Sequence, residues 1–392
     1  MKNILVASFD MEIGGVERSL ISMLNHFDYS NYIVDLMLYS HTGEFMKLLP
    51  DKVNLLAENK AYKTFRMPIV DVIRSGKISL GLSRLLAKYL ANKNHSSENG
   101  VMQMQYMWKY SVPLLPKHNK KYDVAISYLW PHYFVAEKVE AETKIAWIHT
   151  DFSVVETDIE MDMKMWSKFN HIVAVSEECR KSFVLKYPAL KDRVIVIENI
   201  TTPELINTLA GDVTENPMVG DSRFKIITVA RLSYAKGIDT AVQALKILKD
   251  KGYENICWYV VGYGGEEQQI NDLIIENDLT DHFILLGKKI NPYPFMKESD
   301  LYVQPSRYEG KAVTVVEAQI LSKPVLITNY PTAGSQVQDG FDGLICELSV
   351  NGIADGIEKL YLDYQLREQL TKNCNCTAFS NLNELNKLYS LI

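Results

Sequence analysis

Twelve short apolar runs, rich in β-branched and aromatic residues and separated by longer amphipathic segments, constrain this chain more than any other feature. The first six are ILVASF (4–9), IVDLMLY (33–39), DVAISYL (123–129), KIAWIH (144–149), IVAVS (172–176) and VIVI (194–197). A second series follows: KIITVA (225–230), ICWYVVG (256–262), FILLG (283–287), DLYVQP (300–305), PVLIT (324–328) and GLICE (343–347). Strands buried on both faces read this way, and helices between them make parallel sheets. The pattern predicts an α/β chain with two doubly wound parallel sheets. At 392 residues the chain exceeds one compact α/β core, which agrees with two domains.

The break falls in ENITTPELINTLAGDVTENPMVGDSRF (198–224), rich in Thr, Asn, Pro and Gly, with one helical turn around Leu205 to Leu209. A hinge is expected near Asn199 to Thr202. The expected division is a first domain over 1–199, a second over 200–378 and a terminal helix over 379–392. That helix shows Leu382, Leu385, Leu388 and Ile392 on one face, a pattern that packs back on the first domain. Residues 60–121 carry no strand signal. They hold Arg66, Arg74, Lys77, Arg84, Lys88 and Lys93 and then MQMQYMWKYSVPLLP, and so form a helical insert. Basic amphipathic helices of this kind lie on anionic membrane surfaces, and a merely solvated basic face is the equal alternative.

Charge and cysteine usage exclude several classes. Charged residues make up 23% and the net charge is −6, so no nucleic-acid footprint follows. The five cysteines are odd in number and mostly embedded in apolar runs, which fits free thiols in a reducing compartment. Cys374 and Cys376 form a lone C-x-C without a second ligand pair, so no metal is expected. The N-terminal MKNILVASFD reads as a first strand and not as a signal segment, and no apolar run approaches a membrane span. A cytoplasmic chain is expected, with the inner face of the cell membrane as the place where a basic insert would act.

In open parallel sheets ligands bind beyond the carboxyl ends of the strands, so those loops are where the chemistry is sought. After the first run, Gly14 and Gly15 precede a helix, which lets backbone N–H groups approach a phosphate or sugar. The G-x-G-x-x-G fingerprint is absent, which weakens a nicotinamide or flavin reading. The second series opens with ITVARLSYAKGID, where Arg231 and Lys236 leave a strand end and together suit a diphosphate. Gly262, Gly264 and Gly287 follow later strands and allow close backbone approach to a flat ligand. In SRYEGKAVTVVEAQ (306–319), Glu309 sits before an expected helix start near Ala312 and Glu317 inside that helix. Eight residues at the helical rise separate them by roughly 12 Å, too far for an acid/base pair acting on one bond but suited to a long ligand with hydroxyls at both ends.

Glu309 and Glu317 form an E-x7-E spacing. With Arg231, Lys236, the Gly262 and Gly264 loop and the Gly14-Gly15 loop, it resembles the family 4 retaining glycosyltransferases, of the bacterial surface-polysaccharide type. The resemblance runs across most of the chain and is strongest from 225 to 347. It implies a GT-B fold: two Rossmann-like domains facing an interdomain cleft, the first for the acceptor and the second for the nucleotide-sugar. It also implies transfer of a sugar, with retained configuration and without a metal, from a nucleotide-sugar to an acceptor. By the same resemblance Arg231 and Lys236 hold the diphosphate, Glu309 the donor sugar and Glu317 the ribose, while the backbone of Lys311, Ala312 and Val313 lines the site. It further points to His149, at the end of the KIAWIH run, as a residue near the reacting sugar. Lys311 and Ala312 depart from the aromatic-glycine pair common after E-G, which leaves the donor sugar open. The implied donor is a nucleotide-sugar, a UDP-sugar first, with no separate cofactor. The implied acceptor is a glycan or lipid-linked acceptor of capsule, exopolysaccharide or teichoic-acid assembly. Two alternatives stand beside this: a GT-B sugar-nucleotide epimerase, and a non-catalytic nucleotide-sugar-binding subunit.

Overall fold

The computed structural model of the protein describes residues 1–93, 99–377 and 379–392. Residues 94–98 of the insert and Ala378, the expected end of the second domain, lie outside the described residues. Two compact units are present. One comprises Met1–Glu12, Val16–Asn199 and Leu382–Ile392, and the other Ile13–Gly15 and Ile200–Asn381.

Each unit is built on one parallel sheet. The first contains β1 (Lys2–Ser8), β2 (Tyr32–Leu38), β3 (Asn54–Leu55), β4 (Lys121–Ser127), β5 (Glu140–Ile148), β6 (His171–Ala174) and β7 (Val194–Val196), in the order β3-β2-β1-β4-β5-β6-β7. The second contains β8 (Phe224–Val229), β9 (Ile256–Val261), β10 (Phe283–Gly287), β11 (Leu301–Gln304), β12 (Val325–Thr328) and β13 (Leu344–Cys346), in the order β10-β9-β8-β11-β12-β13. All twelve apolar runs are strands. The two-residue β3 gave no signal, because both of its residues are exposed at the sheet edge.

Alternate residues of the second sheet enter two separate cores. Ile226, Trp258, Val260, Val303 and Leu326 face one layer of helices, while Ile227, Tyr259, Val261, Tyr302 and Ile327 face the other. Burial on both faces explains why the runs are continuous and not alternating. In both sheets the strand order reverses beside the first strand, between β1 and β4 and between β8 and β11. Loops leaving such neighbours diverge to opposite sides and open a crevice at their carboxyl ends.

The insert folds as helices Ile69–Arg74, Ile78–Lys93 and Asn99–Ser111, preceded by a 3-10 turn over Tyr62–Arg66. Here the sequence expectation needs correction. The tryptophan of MQMQYMWKY does not lie on the surface: Trp108 is fully buried and stacks on Phe65 at 4.1 Å, within an aromatic cluster that includes Tyr39 and Tyr62. An indole of that size contributes more as core than as an exposed anchor. Arg66 stays exposed, but its charge is paired: the guanidinium lies 2.6 Å from buried Asp10 and covers the Phe9 ring.

The terminal helix spans Glu384–Tyr389 and groups with the first unit. Leu385 and Leu388 are buried, and Tyr389 stacks on Tyr32 and accepts the Asp28 backbone N–H at 2.8 Å. Leu382 precedes the first helical turn and stays exposed, so it is not part of the packed face. All five cysteines are free thiols.

Candidate active site

The second sheet gathers its charged loops at the β8/β11 reversal. Beyond β8 the chain makes a 3-10 turn over Tyr234–Lys236, then a left-handed residue, Gly237 at φ +62°, then the helix Ile238–Asp250. A Cβ on Gly237 would lie 2.1 Å from the carbonyl oxygen of Pro305, the residue just after β11. Only glycine allows that approach, and it brings the exits of β8 and β11 together. Arg307 fastens the junction. Its backbone N–H donates to the Ala235 carbonyl at 2.8 Å, and its guanidinium makes a two-pronged pair with Asp239 at 2.8 and 2.7 Å.

This stitching sets Lys236 against Glu309. The Lys236 ammonium donates to both carboxylate oxygens of Glu309, at 2.5 and 2.6 Å. Glu309 is buried, and its Oε1 also accepts from Ser306 Oγ at 2.7 Å and Gln304 Nε2 at 3.2 Å. Its carbonyl is held by Thr332 Oγ1 at 3.1 Å. Gln304 is itself oriented, because its Oε1 accepts the Tyr302 hydroxyl at 2.5 Å. The result is a fixed carboxylate and a half-buried cation side by side, a pairing that offers both a donor to phosphate and an acceptor to sugar hydroxyls.

Ala312 caps the helix Val313–Ile320, so the helix begins where the sequence placed it. The Ala312 N–H is committed to Gln336 Oε1 at 2.9 Å. Lys311 is half-buried in the connection between Glu309 and this cap. Glu317 is buried inside the helix and accepts the Tyr293 hydroxyl at 2.8 Å. That partner accounts for a carboxylate in an otherwise apolar helix.

The glycines position Arg231. A Cβ on Gly262 would lie 1.8 Å from the Ala230 carbonyl oxygen, and one on Gly264 would lie 2.2 Å from that of Leu232. The backbone after β9 therefore runs directly over the turn carrying Arg231, tied to it by Ala230 N–H to Val261 O and Leu232 N–H to Tyr263 O. Arg231 itself is exposed. Gly287 closes β10 at φ +71°, and its carbonyl accepts the Gly262 N–H at 3.0 Å. Gly262 and Gly264 thus share one backbone-packing role, with Arg231 at the end of the chain of contacts, while Gly287 serves through its left-handed backbone.

Gly14 and Gly15 lie where the loop after β1 enters the helix Gly15–Asn25. His149 follows β5, and its Nε2 donates to the Tyr128 carbonyl at 2.9 Å. A carbonyl only accepts, so Nε2 carries the proton and Nδ1 keeps its lone pair. Burial pushes the imidazole down to about 3, against the smaller opposing effect of that carbonyl, so the ring is neutral at physiological pH.

Tyr293, Gln304, Ser306 and the Asp239–Arg307 pair were not anticipated. Gln304 and Ser306 stand within five residues of Glu309 and were accessible to a search for polar residues at a strand exit. Nothing in the sequence marks Tyr293 as the partner of Glu317. Among the described residues no group of three His, Cys, Asp or Glu side chains is arranged to hold a metal ion.

Residues 216–375 match the family Glycosyl transferases group 1, a span that covers most of the second unit and the whole Lys236–Glu309 cluster. The capsular polysaccharide biosynthesis glycosyltransferase CapM of Staphylococcus aureus is 32% identical over 158 residues, 39% of this chain and 40% of that protein. An uncharacterized glycosyltransferase of Methanocaldococcus jannaschii is 27% identical over 177 residues, 44% of this chain and 43% of that protein. The chain therefore spans less than half the length of these curated relatives. The crystal structure of HepE of Anabaena in complex with UDP-glucose matches with a TM-score of 0.69 at 17% identity, over 100% of both chains. That likeness shows the fold: the two Rossmann-like parallel-sheet units are those of GT-B proteins.

Proposed function

We propose that the protein is a retaining glycosyltransferase of family 4 that moves a sugar from a UDP-sugar to a glycan or lipid-linked acceptor in capsule, exopolysaccharide or teichoic-acid assembly. It works in the cytoplasm at the inner face of the cell membrane and needs no metal. The observation that carries this reading is the Lys236–Glu309 pair at the strand-order reversal of the unit matched by the group 1 family. Similarity to CapM, a capsular polysaccharide biosynthesis glycosyltransferase, and to HepE, seen in complex with UDP-glucose, supports the acceptor and donor classes.

In this reading Arg231 and Lys236 neutralise the diphosphate together with the start of the helix Val313–Ile320. Glu309 accepts hydroxyls of the donor sugar and Glu317 those of the ribose. The bond from the anomeric carbon to the β-phosphate oxygen breaks while the acceptor oxygen bonds from the same face. The acceptor's proton passes to the departing phosphate, so no separate protein base is required. For His149 the resemblance implies a place near the reacting sugar, and its neutral ring keeps Nδ1 as an acceptor.

The test is a donor panel read by nucleotide release, with and without lipid-linked acceptors and with a chelator. Acceptor-dependent release of UDP that survives chelation, with a product of unchanged anomeric configuration, is expected. A changed sugar from UDP-sugar alone would assign an epimerase instead, and the absence of release from every donor in the panel would overturn the reading.

A further inference from the structure

The helix Ile78–Lys93 is turned inside out. Its protein-facing side is mostly small: Gly81, Ser83, Ala87 and Ala91 are buried with one large apolar residue, Leu80, and the half-buried Arg84 directs its guanidinium to the Thr64 and Met67 carbonyls, the latter at 2.7 Å. Ser83 meets Ser111 of the next helix at 2.9 Å. Gly81 lets the preceding helix approach so closely that a Cβ there would lie 2.4 Å from Ile73 Cγ1. Five larger apolar residues are on the other side. Ile78, Leu82, Leu85, Leu86 and Tyr89 are between 44% and 65% exposed. Spaced i, i+4, i+7, i+8 and i+11, they form one continuous stripe about 100° wide.

A core-facing helix has the reverse arrangement, and a solvated one has no such stripe. The charges around the stripe identify what covers it. Lys88 and Lys93 on the helix are exposed, Lys77 precedes it, and exposed Arg74 ends the helix before it. Between 69 and 93 the only carboxylate is Asp71, in a chain whose net charge is −6. Two copies meeting through this face would bring their Lys88 and Lys93 side chains together, which opposes self-association. An apolar stripe bordered by cations is complementary to a surface that is apolar beneath and anionic on top.

We propose that the Ile78–Lys93 helix docks this protein onto an anionic phospholipid surface, lying flat with Ile78, Leu82, Leu85, Leu86 and Tyr89 among the acyl chains and Lys88 and Lys93 at the phosphates. The site is a different one from the MQMQYMWKY stretch, whose tryptophan is part of the core. It does not depend on the glycosyltransferase reading.

The experiment is co-sedimentation of the full chain with vesicles of phosphatidylcholine alone or mixed with phosphatidylglycerol, at low and high salt, alongside the mass in solution. Binding to the phosphatidylglycerol vesicles that weakens with salt is expected. Leu82→Gln/Leu86→Gln should lower partitioning at least tenfold while thermal unfolding is unchanged, since both side chains are exposed. Lys88→Gln/Lys93→Gln should lower it about fivefold per charge on phosphatidylglycerol only. No binding to those vesicles, or binding indifferent to the leucine substitutions, would overturn the proposal. So would a dimer that the leucine variant converts to monomer, because a second copy would then be the occupant.

Discussion

Replacing Lys236 by alanine would remove the one ammonium that bridges both oxygens of the buried Glu309 carboxylate. Fully buried pairs lose about 3–5 kcal/mol when one partner is deleted, and exposed pairs about 0–1. Lys236 lies between these limits, with 24% of its side chain exposed against 7% for Glu309. Ser306 and Gln304 would still serve Oε1. A loss of about 2 kcal/mol follows, read as a lower urea midpoint for the second unit. Adding Glu309→Gln removes the stranded charge and should restore roughly 1–2 kcal/mol, so the double-mutant cycle reports coupling. Activity should behave differently. Loss of a charge-assisted donor to the leaving diphosphate slows turnover about 10²–10³-fold, and the second substitution cannot repair it. Nucleotide release with saturating donor measures this. A Lys236→Ala protein that is destabilised but turns over within threefold of the parent would show the pair to be structural only, and would refute the assignment.

Three further outcomes follow from the same geometry. Gly262→Ala places a Cβ against the Ala230 carbonyl, so it should cost about 1–3 kcal/mol by overpacking and weaken UDP binding through Arg231, both measurable by calorimetry. Gln304→Leu leaves Glu309 without one donor and the Tyr302 hydroxyl with Thr314 as its remaining acceptor, and should reduce turnover about tenfold with KM for donor nearly unchanged; a change confined to stability would argue against a positioning role. His132 is fully buried and burial, reinforced by nearby His149, holds its pKa down to about 3, whereas the unfolded chain takes up that proton near 6.5. Below pH 6.5 the unfolded state binds the extra proton, so stability should fall by about 1.4 kcal/mol per pH unit from this residue until about pH 3. Urea titrations at pH 7, 6 and 5 should show a shallower slope in His132→Gln, and equal slopes would contradict the burial argument.

The sheets were legible in the sequence because burial on both faces leaves uninterrupted β-branched runs, and the two-residue β3 was not because its exposed residues leave no such trace. The lateral order of strands was less accessible. Lys236 and Glu309 are far apart in the chain, and their meeting depends on β8 pairing with β11 and on Gly237 passing the Pro305 carbonyl. The spacing of the glutamates placed one in a turn and one in a helix, but gave no hint that Tyr293 would hold Glu317. The insert misled for a physical reason. Both Ile78–Lys93 and Asn99–Ser111 carry apolar residues on more than one face, so periodicity alone does not say which side packs, and tryptophan suits a core and an interface equally.

The connection around Lys311 has a consequence for how this protein's selectivity changes over evolutionary time. On one side Glu309 is anchored through Thr332 and Ser306, and on the other Ala312 is anchored through Gln336. Both anchors reach in from outside the 309–312 stretch, so Glu309 and Ala312 are each held by partners beyond residue 311. Under the proposed function, position 311 is an element inside a fixed frame, where a new side chain is expected to alter which donor is recognised while the carboxylate and the helix start keep these anchors. Saturation of that single codon, screened against a set of donors, tests whether this position sets the choice of sugar.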